Sequence, residues 1–385
     1  MRLVERHIIK TQDARYKELN TLTILSKNLY NASLYAIRQY FFSHKTYLNY
    51  YELNKEFVSN KNVDYYNLPS KVSQQTLKCV EQNFKSFFSL LKLKSGNISI
   101  PKYLPKDGRF QVIYTSQAIS KIKLKKGIVK LSGTNIEIPT KQKDIQQVRV
   151  VPKGNHIVVE VIYNQECKPK IVSDNLASID IGLNNLAAIS YNNRKGELIN
   201  GKPLKSINQF YNKKKSKLQI KNKSSKRVKS LTLKRDNKIT DYLHKSSRYI
   251  INQLVSNNVS ALIIGKNNGW KQEIKLGKVN NQNFVQIPHA RFIQMLEYKA
   301  NLEGIQVILQ EESYTSLCSF LDNEPVKKHD TYVGKRNGRL FTSFDGKVIN
   351  SDINGSLNIM RKAVTNVKFT DVIEVCSTPS VFTVK

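Results

Sequence analysis

Hydrophobic and polar positions along the chain fall into three regimes. MRLVERHIIK alternates enough to predict an opening strand. Residues 11 to about 95 read as helical. LTILSKNLYNASLYAIRQYFF brings Leu22, Leu25, Leu29, Ala32 and Ala36 round at intervals of three to four. SQQTLKCVEQNFKSFFSLLKL repeats the period with Leu77, Val80, Phe84, Phe87 and Leu91, and Ser73 is its expected N-cap. From about 98 to 166 short β-rich runs follow (ISIPKYL, FQVIYT, GIVKLSG, NIEIP, QQVRVV, HIVVEVIY), separated by Gly, Pro, Asn and Lys-Asp turns. They predict a small all-β domain of barrel or sandwich type, which the first strand can join, making the helical block an insertion.

From about 175 the pattern becomes α/β. ASIDIGLNNLAAIS predicts two strands around a turn at Leu183-Asn184-Asn185, and a long basic helical region follows. DYLHKSSRYIINQLVSNN and IPHARFIQMLEYKANLEG read as helices, VSALIIG and GIQVILQEE as buried strands, and DINGSLNIMRKAV as a last helix. The tail after about 365 looks ragged. No internal repeat is evident, no apolar run approaches the ~18 residues of a membrane span, and the N-terminus lacks the apolar core of a signal peptide. These features predict a cytoplasmic protein.

Charge changes the picture. The chain carries 63 Lys and Arg against 29 Asp and Glu, a formal net charge of +34. Such an excess repels itself unless a polyanion offsets it, and it runs from end to end rather than in one tail. Nucleic acid is the first candidate partner, and an acidic membrane surface the second. Cys79, Cys167, Cys318 and Cys376 are far apart and form no CxxC pair, which argues against a disulfide framework and a structural zinc site.

In so basic a chain a carboxylate within an apolar strand needs a reason. Asp180 is flanked by Ile179 and Ile181, so it should be paired with a cation or bind metal. Asp352 precedes an apolar helix face, where a helix N-cap is the plain reading. Glu311 and Glu312 end a buried strand, where a solvated charge pair is the default. Their order matters more than any one of them. An Asp on a first strand, a Glu at a later strand end and an Asp opening a late helix suit a ribonuclease-H-like fold, whose carboxylates converge at one edge of a mixed sheet. Three such carboxylates can hold two Mg²⁺ ions about 4 Å apart, one activating water and one stabilising the leaving oxygen.

At these residues the sequence resembles the TnpB family, transposon-encoded RNA-guided nucleases related to compact CRISPR effectors. The resemblance covers nearly the whole chain and is strongest in IDIGLNNLAAIS, DYLHKSSRYIIN, WKQEIKLGKVNNQNFVQIP, EESYTSLCSFLD and GKRNGRLFTSFDGKVINSDINGSLNIMRK. It implies an α+β multidomain protein: a β-barrel wedge domain (1–10 plus 98–170), an inserted helical recognition domain (11–97), a RuvC-like nuclease domain (171–364) with a degenerate zinc-ribbon region (315–350), and a tail (365–385). It also implies a guide RNA transcribed from the element's end, a target double-stranded DNA with a short adjacent motif, one protein per guide, and residence on the nucleoid when bound to DNA.

Two departures matter. The family's second acidic motif ends a strand of the VSALIIG kind with Glu, and here that position is Gly265. Some relatives carry the glutamate three residues ahead of the Thr of Thr-Ser, which here is Glu312. Glu312 is therefore the expected ligand, with Glu311 and Glu273 as alternatives. The family also carries a four-cysteine zinc ribbon, of which only Cys318 remains, with Ser319-Phe320-Leu321-Asp322 where the next cysteine would fall. No zinc is expected, and a hydrophobic or polar substitute should hold that region.

An active nuclease using Asp180, Glu312 and Asp352 is the leading expectation. The alternative is a nuclease-inactive RNA-guided repressor, which Gly265 keeps open. A strand-joining transposase would need a His-x-His and a nucleophilic Tyr that are not evident. Lys213, Lys214, Lys215, Lys226, Arg227 and Lys229 are candidate phosphate contacts, against the plain reading of a solvated helix face. Tyr30, Tyr35 and Gln39, with Tyr50 and Tyr51, are candidate nucleic-acid contacts that could equally be core aromatics. Trp270, beside Lys271 and Gln272, could stack or pack.

Overall fold

A computed structural model describes every residue except 94, 95, 97, 219–224, 268–276, 278–281, 283, 284 and 385. The chain divides into two compact units, Met1–Gln165 and Glu166–Lys385.

In the first unit, β1 (Arg2–Ile9) is followed by α1 (Tyr16–His44), α2 (Tyr50–Ser59), α3 (Val63–Tyr66) and α4 (Ser70–Lys92). Then come β2 (Val112–Thr115), α5 (Lys121–Lys125), β3 (Ile128–Lys130), β4 (Glu137–Pro139), β5 (Ile145–Lys153) and β6 (His156–Asn164). β1 runs antiparallel to β6, from Arg2 opposite Asn164 to Ile9 opposite Ile157, so the helices are inserted between strands of one sheet. The sheet order is β1-β6-β5-β2, and β3 and β4 form a separate hairpin. A closed barrel, one of the two expected forms, is not present among the described residues. The apolar sheet face is covered instead by helices: Leu29, Leu34, Leu77 and Val80 share one core with Val148 and Val159.

Two local expectations change here. Helix α4 begins at Ser70, so Ser73 does not cap it. Ser73 is buried in the first turn, where its hydroxyl donates to the Tyr65 carbonyl at 2.7 Å. Tyr30 is 5% exposed, its ring lies 4.7 Å from that of Phe110, and its hydroxyl accepts from Asn83 at 3.0 Å. It is a core aromatic and cannot reach a nucleic acid.

In the second unit the strands are β7 (Leu176–Asp180), β8 (Asn185–Tyr191), β9 (Glu197–Asn200), β10 (Ala261–Gly265), β11 (Gln306–Gln310), β12 (Lys335–Asn337), β13 (Leu340–Thr342), β14 (Val348–Asn350) and β15 (Ser380–Phe382). The helices are α6 (Lys202–Leu218), α7 (Lys226–Ser256), α8 (His289–Leu302), α9 (Ser351–Ala363) and α10 (Val372–Val375). A six-stranded mixed sheet has the order β11-β10-β7-β8-β9-β15. Central β7 is parallel to β10 and antiparallel to β8. One face packs on α7 and α8, through Leu243, Ile250, Phe292 and Leu296 against Ile179, Ile189 and Ile264. The opposite face carries α9: Ile353 and Leu357 meet Ala188 and Leu198, and Ile359 meets Ile263.

The tail is not ragged throughout. Ser380, Val381 and Phe382 pair in parallel with Glu197, Leu198 and Ile199, adding an edge strand, and the Phe382 ring stacks on Tyr249 at 3.6 Å. A three-residue strand is too short to stand out by periodicity, and its partner lies far away in sequence. Among the described residues, no helix is long and apolar enough to cross a membrane.

Candidate active site

β7 sends alternate side chains to opposite faces. Ala177 and Ile179 enter the core shared with α7 and α8, so Ser178 and Asp180 face α9. Ser178 fixes that helix. Its hydroxyl donates to the Ser356 carbonyl at 2.6 Å, and the Ser356 hydroxyl donates back to the Ser178 carbonyl at 3.0 Å. One residue earlier on α9, Gly355 lets the helix close on the aspartate: a Cβ there would stand 2.9 Å from Asp180 Oδ2.

Asp352 is the second residue of α9 and does not cap it. Asn350 does, its side chain accepting from the backbone N–H groups of Asp352 and Ile353. The Asp352 carboxylate is thereby free to accept from Asn185 Nδ2 at 2.8 Å and to pair with Arg336 at 3.1 Å. Arg336 comes from the β12–β13 hairpin. That hairpin is tied to the start of α9 by the Ser351 N–H, which donates to the Arg339 carbonyl at 2.8 Å.

The two glutamates after β11 diverge. Glu311 is exposed and pairs with Lys362 at 2.6 Å, and hydrogen bonding to Lys362 and then Ser313 holds its carboxyl below the ordinary value. Glu312 turns inward. Asn267 brackets it, donating from Nδ2 to Oε1 at 3.2 Å and accepting the Glu312 N–H at 3.2 Å. The other oxygen, Oε2, is buried and has no hydrogen-bond partner among the described residues. That oxygen lies over Gly265, where a Cβ would come within 2.6 Å of it. Ile264 is paired with Ile179, so the next residue on β10, Gly265, stands beside Asp180. The missing side chain at 265 is the space that the Glu312 carboxylate fills.

Electrostatics mark the cluster. The Asp180 carboxyl is pushed up to about 8, first by burial and then by the charges of Glu312 and Asp352, with Arg336 opposing. Burial and then Glu311 raise Glu312 to about 7. Crowded, partly desolvated carboxylates that cannot all ionise, one with an orphaned oxygen, form a site short of positive charge.

The structure therefore brings Asp180, Glu312 and Asp352 together and turns Glu311 away. Glu273, Trp270, Lys271 and Gln272 lie outside the described residues. Sequence reasoning missed Asn185, Asn267 and Arg336. Asn185 ends the IGLNN turn and Asn267 follows β10 in IIGKN, so both mark strand ends at this edge, whereas nothing in the sequence distinguishes Arg336 from other cations. Asn354, two residues after Asp352, has a structural task. Asn354 donates to the Cys318 carbonyl at 2.9 Å and Asn358 to the Thr315 carbonyl at 2.9 Å, holding the loop after Glu312 to α9.

Lys213, Lys214 and Lys215 ride on α6, and Lys226, Arg227 and Lys229 on the first turn of α7, where the latter three are exposed. In the first unit Tyr35 is 58% exposed, and Gln39 is exposed one turn further along α1. Tyr51 is exposed, while Tyr50 is half-buried with Lys78 Nζ 4.6 Å from its ring centre.

Residues 156–271 match the family OrfB_IS605, described as "Probable transposase". Residues 289–359 match the one described as "Cas12f1-like, TNB domain". Asp180 and Gly265 fall in the first segment, Glu312 and Asp352 in the second. The TnpB-like protein ORF457 of Acidianus two-tailed virus is 24% identical over 409 residues, covering 90% of this chain and 84% of its own. The CRISPR-associated endodeoxyribonuclease Cas12f2 of a Micrarchaeota archaeon (strain CG1_02_47_40) is 28% identical over 202 residues, 49% of this chain and 37% of that protein. Among solved structures, the mini-RNA-guided endonuclease CRISPR-Cas_phi3 aligns with a TM-score of 0.51 at 11% identity, covering 98% of this chain and 94% of that one, a likeness of fold alone. With the carboxylate site divided between two matched segments, and a TnpB-like relative aligned along 90% of this chain, the comparisons support a TnpB-family protein.

Proposed function

We propose that this chain is an RNA-guided, Mg²⁺-dependent DNA endonuclease of a transposable element, cutting with Asp180, Glu312 and Asp352. The observation that carries the reading is Glu312 folded over Gly265 beside Asp180, which supplies a third carboxylate from a neighbouring strand. The mixed sheet, with β7 central and α9 against it, suits a RuvC-like domain and supports the same reading. The net charge of +34 suits a protein wrapped around guide RNA and target DNA. Base pairing would then read the target, and the protein a short adjacent motif.

The donor set fits hard divalent cations: three carboxylates on separate elements, with one oxygen unpartnered among the described residues. When bound, a pair of such ions would activate water and stabilise the leaving oxygen. The chain's own residues prepare the place. Asn185 and Asn267 orient Asp352 and Glu312, and the Ser178–Ser356 exchange holds α9 in register with Asp180. Arg336 balances part of the negative charge until the ions and a phosphate arrive.

A pH dependence follows for the chain stripped of metal. Asp180 and Glu312 both titrate above their ordinary values, so the folded state holds protons that the unfolded state releases. The stability from those protons is fully present below the ordinary carboxylate range and is lost as pH rises through about 7 and about 8. In EDTA the melting temperature is expected to fall between pH 5.5 and 9 by at least about 2–4 °C, the effect of roughly one kcal/mol in a unit of this size. Mg²⁺ should restore it most at pH 9, and Asp180→Asn should flatten the profile. A wild-type profile that is already flat in EDTA would count against the strained cluster.

Zinc does not fit the ribbon region. Ligand atoms of Cys318, Glu324 and His329 lie within 4.8 Å of one another, but they are committed elsewhere. The Glu324 carboxylate accepts the Ser319 N–H at 2.7 Å and the Val333 N–H at 3.1 Å, and His329 Nε2 sits 2.8 Å from the Pro325 carbonyl. Asp322 adds a second knot, accepting from the Phe344 N–H at 3.0 Å. These hydrogen-bonded carboxylates support the reading of a polar substitute for the ribbon. Elemental analysis of purified protein is expected to find well below one zinc per chain. Stoichiometric zinc that disappears in Cys318→Ser would overturn this.

The function is tested by purifying the protein with its co-expressed RNA, sequencing that RNA, and supplying matching DNA with a randomised flank. Mg²⁺-dependent cutting at matched sites supports the reading. Tight guided binding without cutting would make the chain a repressor.

A further inference from the structure

Outside the carboxylate edge, the second unit has a groove of about 320 Å³ between α6 and α7, within the size range of ligand sites. Phe210 and Tyr211 form part of its wall, with Lys234, Arg235 and Lys238. The two aromatics differ. Tyr211 is buried and bonded to Thr232 at 3.0 Å. Phe210 is 58% exposed, and Lys214 Nζ lies 5.8 Å from its ring centre. A large apolar ring is thus left mostly in water beside cations.

The cations differ as well. Arg235 is committed, to Asn208 Oδ1 at 2.9 Å and to the Gln286 carbonyl at 2.9 Å. Lys234 and Lys238, one helical turn apart, form no salt bridge among the described residues. From Lys202 to Lys238 the sequence holds one acidic residue, Asp236, already paired with Arg235 at 3.0 Å. An exposed ring flanked by uncommitted cations is the arrangement that binds single-stranded nucleic acid, the ring taking a base and the cations its phosphates.

Position selects the strand. α6 starts directly after Gly201, whose N–H donates to the Asn184 carbonyl at 2.8 Å. Lys205 in its first turn donates to the Asn184 side chain at 2.8 Å, and the next residue, Asn185, holds Asp352. The helix therefore begins at the rim of the carboxylate edge. Phe210 lies about 12 Å further along it, at 1.5 Å per residue, a span of about three or four stacked nucleotides.

We propose that this groove seats one base of the single DNA strand presented to the carboxylates, with Phe210 stacked on the base and Lys234 and Lys238 on its phosphates. The choice of DNA as occupant rests on the nuclease reading. The test uses the full chain with its co-purified RNA, in EDTA, so that binding is read apart from cutting. The probe is a single-stranded oligodeoxynucleotide carrying bromodeoxyuridine, compared with the same sequence as duplex and as RNA.

Phe210→Ala is expected to weaken single-strand binding about fivefold to tenfold or more and to remove the photo-crosslink to the α6 peptide. Phe210→Trp should keep both, and duplex binding should not change. Lys234→Gln with Lys238→Gln should lower the salt slope on the single strand by about 1.4. Unchanged single-strand affinity in Phe210→Ala overturns the proposal, as does an equal loss on duplex, or a loss confined to RNA. A complex that needs Phe210 to hold the strand yet never cuts in Mg²⁺ sinks the nuclease reading and leaves the groove standing. Cutting with no dependence on Phe210 does the reverse.

Discussion

Replacing Asp180 with Asn or Glu312 with Gln is expected to abolish guided DNA cutting while leaving guided binding intact. The loss should exceed the ~10–100-fold typical of residues that only support a metal ligand. Both carboxylates lie where charge is crowded and desolvated, so neutralising either removes a negative charge and replaces one ligand oxygen by an NH2 group that cannot bind a cation. Glu311→Gln is the control. Its carboxylate is exposed and paired with Lys362 at 2.6 Å, and cutting should stay within about twofold of wild type, as expected of a surface ion pair. Single-turnover cutting with saturating guide complex reads all three. If Glu311→Gln were dead and Glu312→Gln active, the assignment of the moved glutamate would be wrong.

Gly265→Ala is expected to disable the site without touching a carboxylate. A Cβ at 265 would sit 2.6 Å from Glu312 Oε2 and 2.6 Å from Ile359 Cδ1, so both neighbours must move. Overpacking of this kind costs about 1–3 kcal/mol. Displacing the Glu312 carboxylate should slow cutting by about 10–100-fold, the scale for a residue that positions a ligand. Adding Ile359→Val removes the Cδ1 contact and separates the two effects. Stability by thermal melt should recover in the double variant, while cutting stays slow. Recovery of both would mean that the apolar clash alone mattered and that Gly265 makes no room for Glu312.

Much of the second unit was legible from periodicity. β7, β8, β10 and β11 overlie short apolar runs bounded by turn residues, and α7, α8 and α9 overlie runs whose apolar spacing is about 3.6. Burial imposes that spacing locally, so it can be read without knowing the partner. Boundaries and roles were harder. The Ser73 cap failed because a hydroxyl near a helix start can equally bond backward to a carbonyl, here that of Tyr65. The N-cap reading of Asp352 failed because Asn350 was better placed to accept the free N–H groups. The barrel failed because strand count does not say whether a sheet closes on itself or is covered by helices.

The sequence by itself determined that this protein is basic along its whole length, that its second half is α/β, and that Asp180, Glu312 and Asp352 are carboxylates needing an explanation. These are local or summed properties: charge adds, periodicity repeats, and an Asp between two isoleucines is costly wherever the strand goes. Tertiary structure alone decided which of two adjacent glutamates turns inward, because the space that Glu312 occupies belongs to a glycine 47 positions earlier, on a different strand. It alone placed Arg336 beside Asp352, joined the tail to the sheet, and left Phe210 exposed between two cationic helices. Each of these depends on atoms brought together from distant parts of the chain, and proximity of that kind exists only once the sheet has formed.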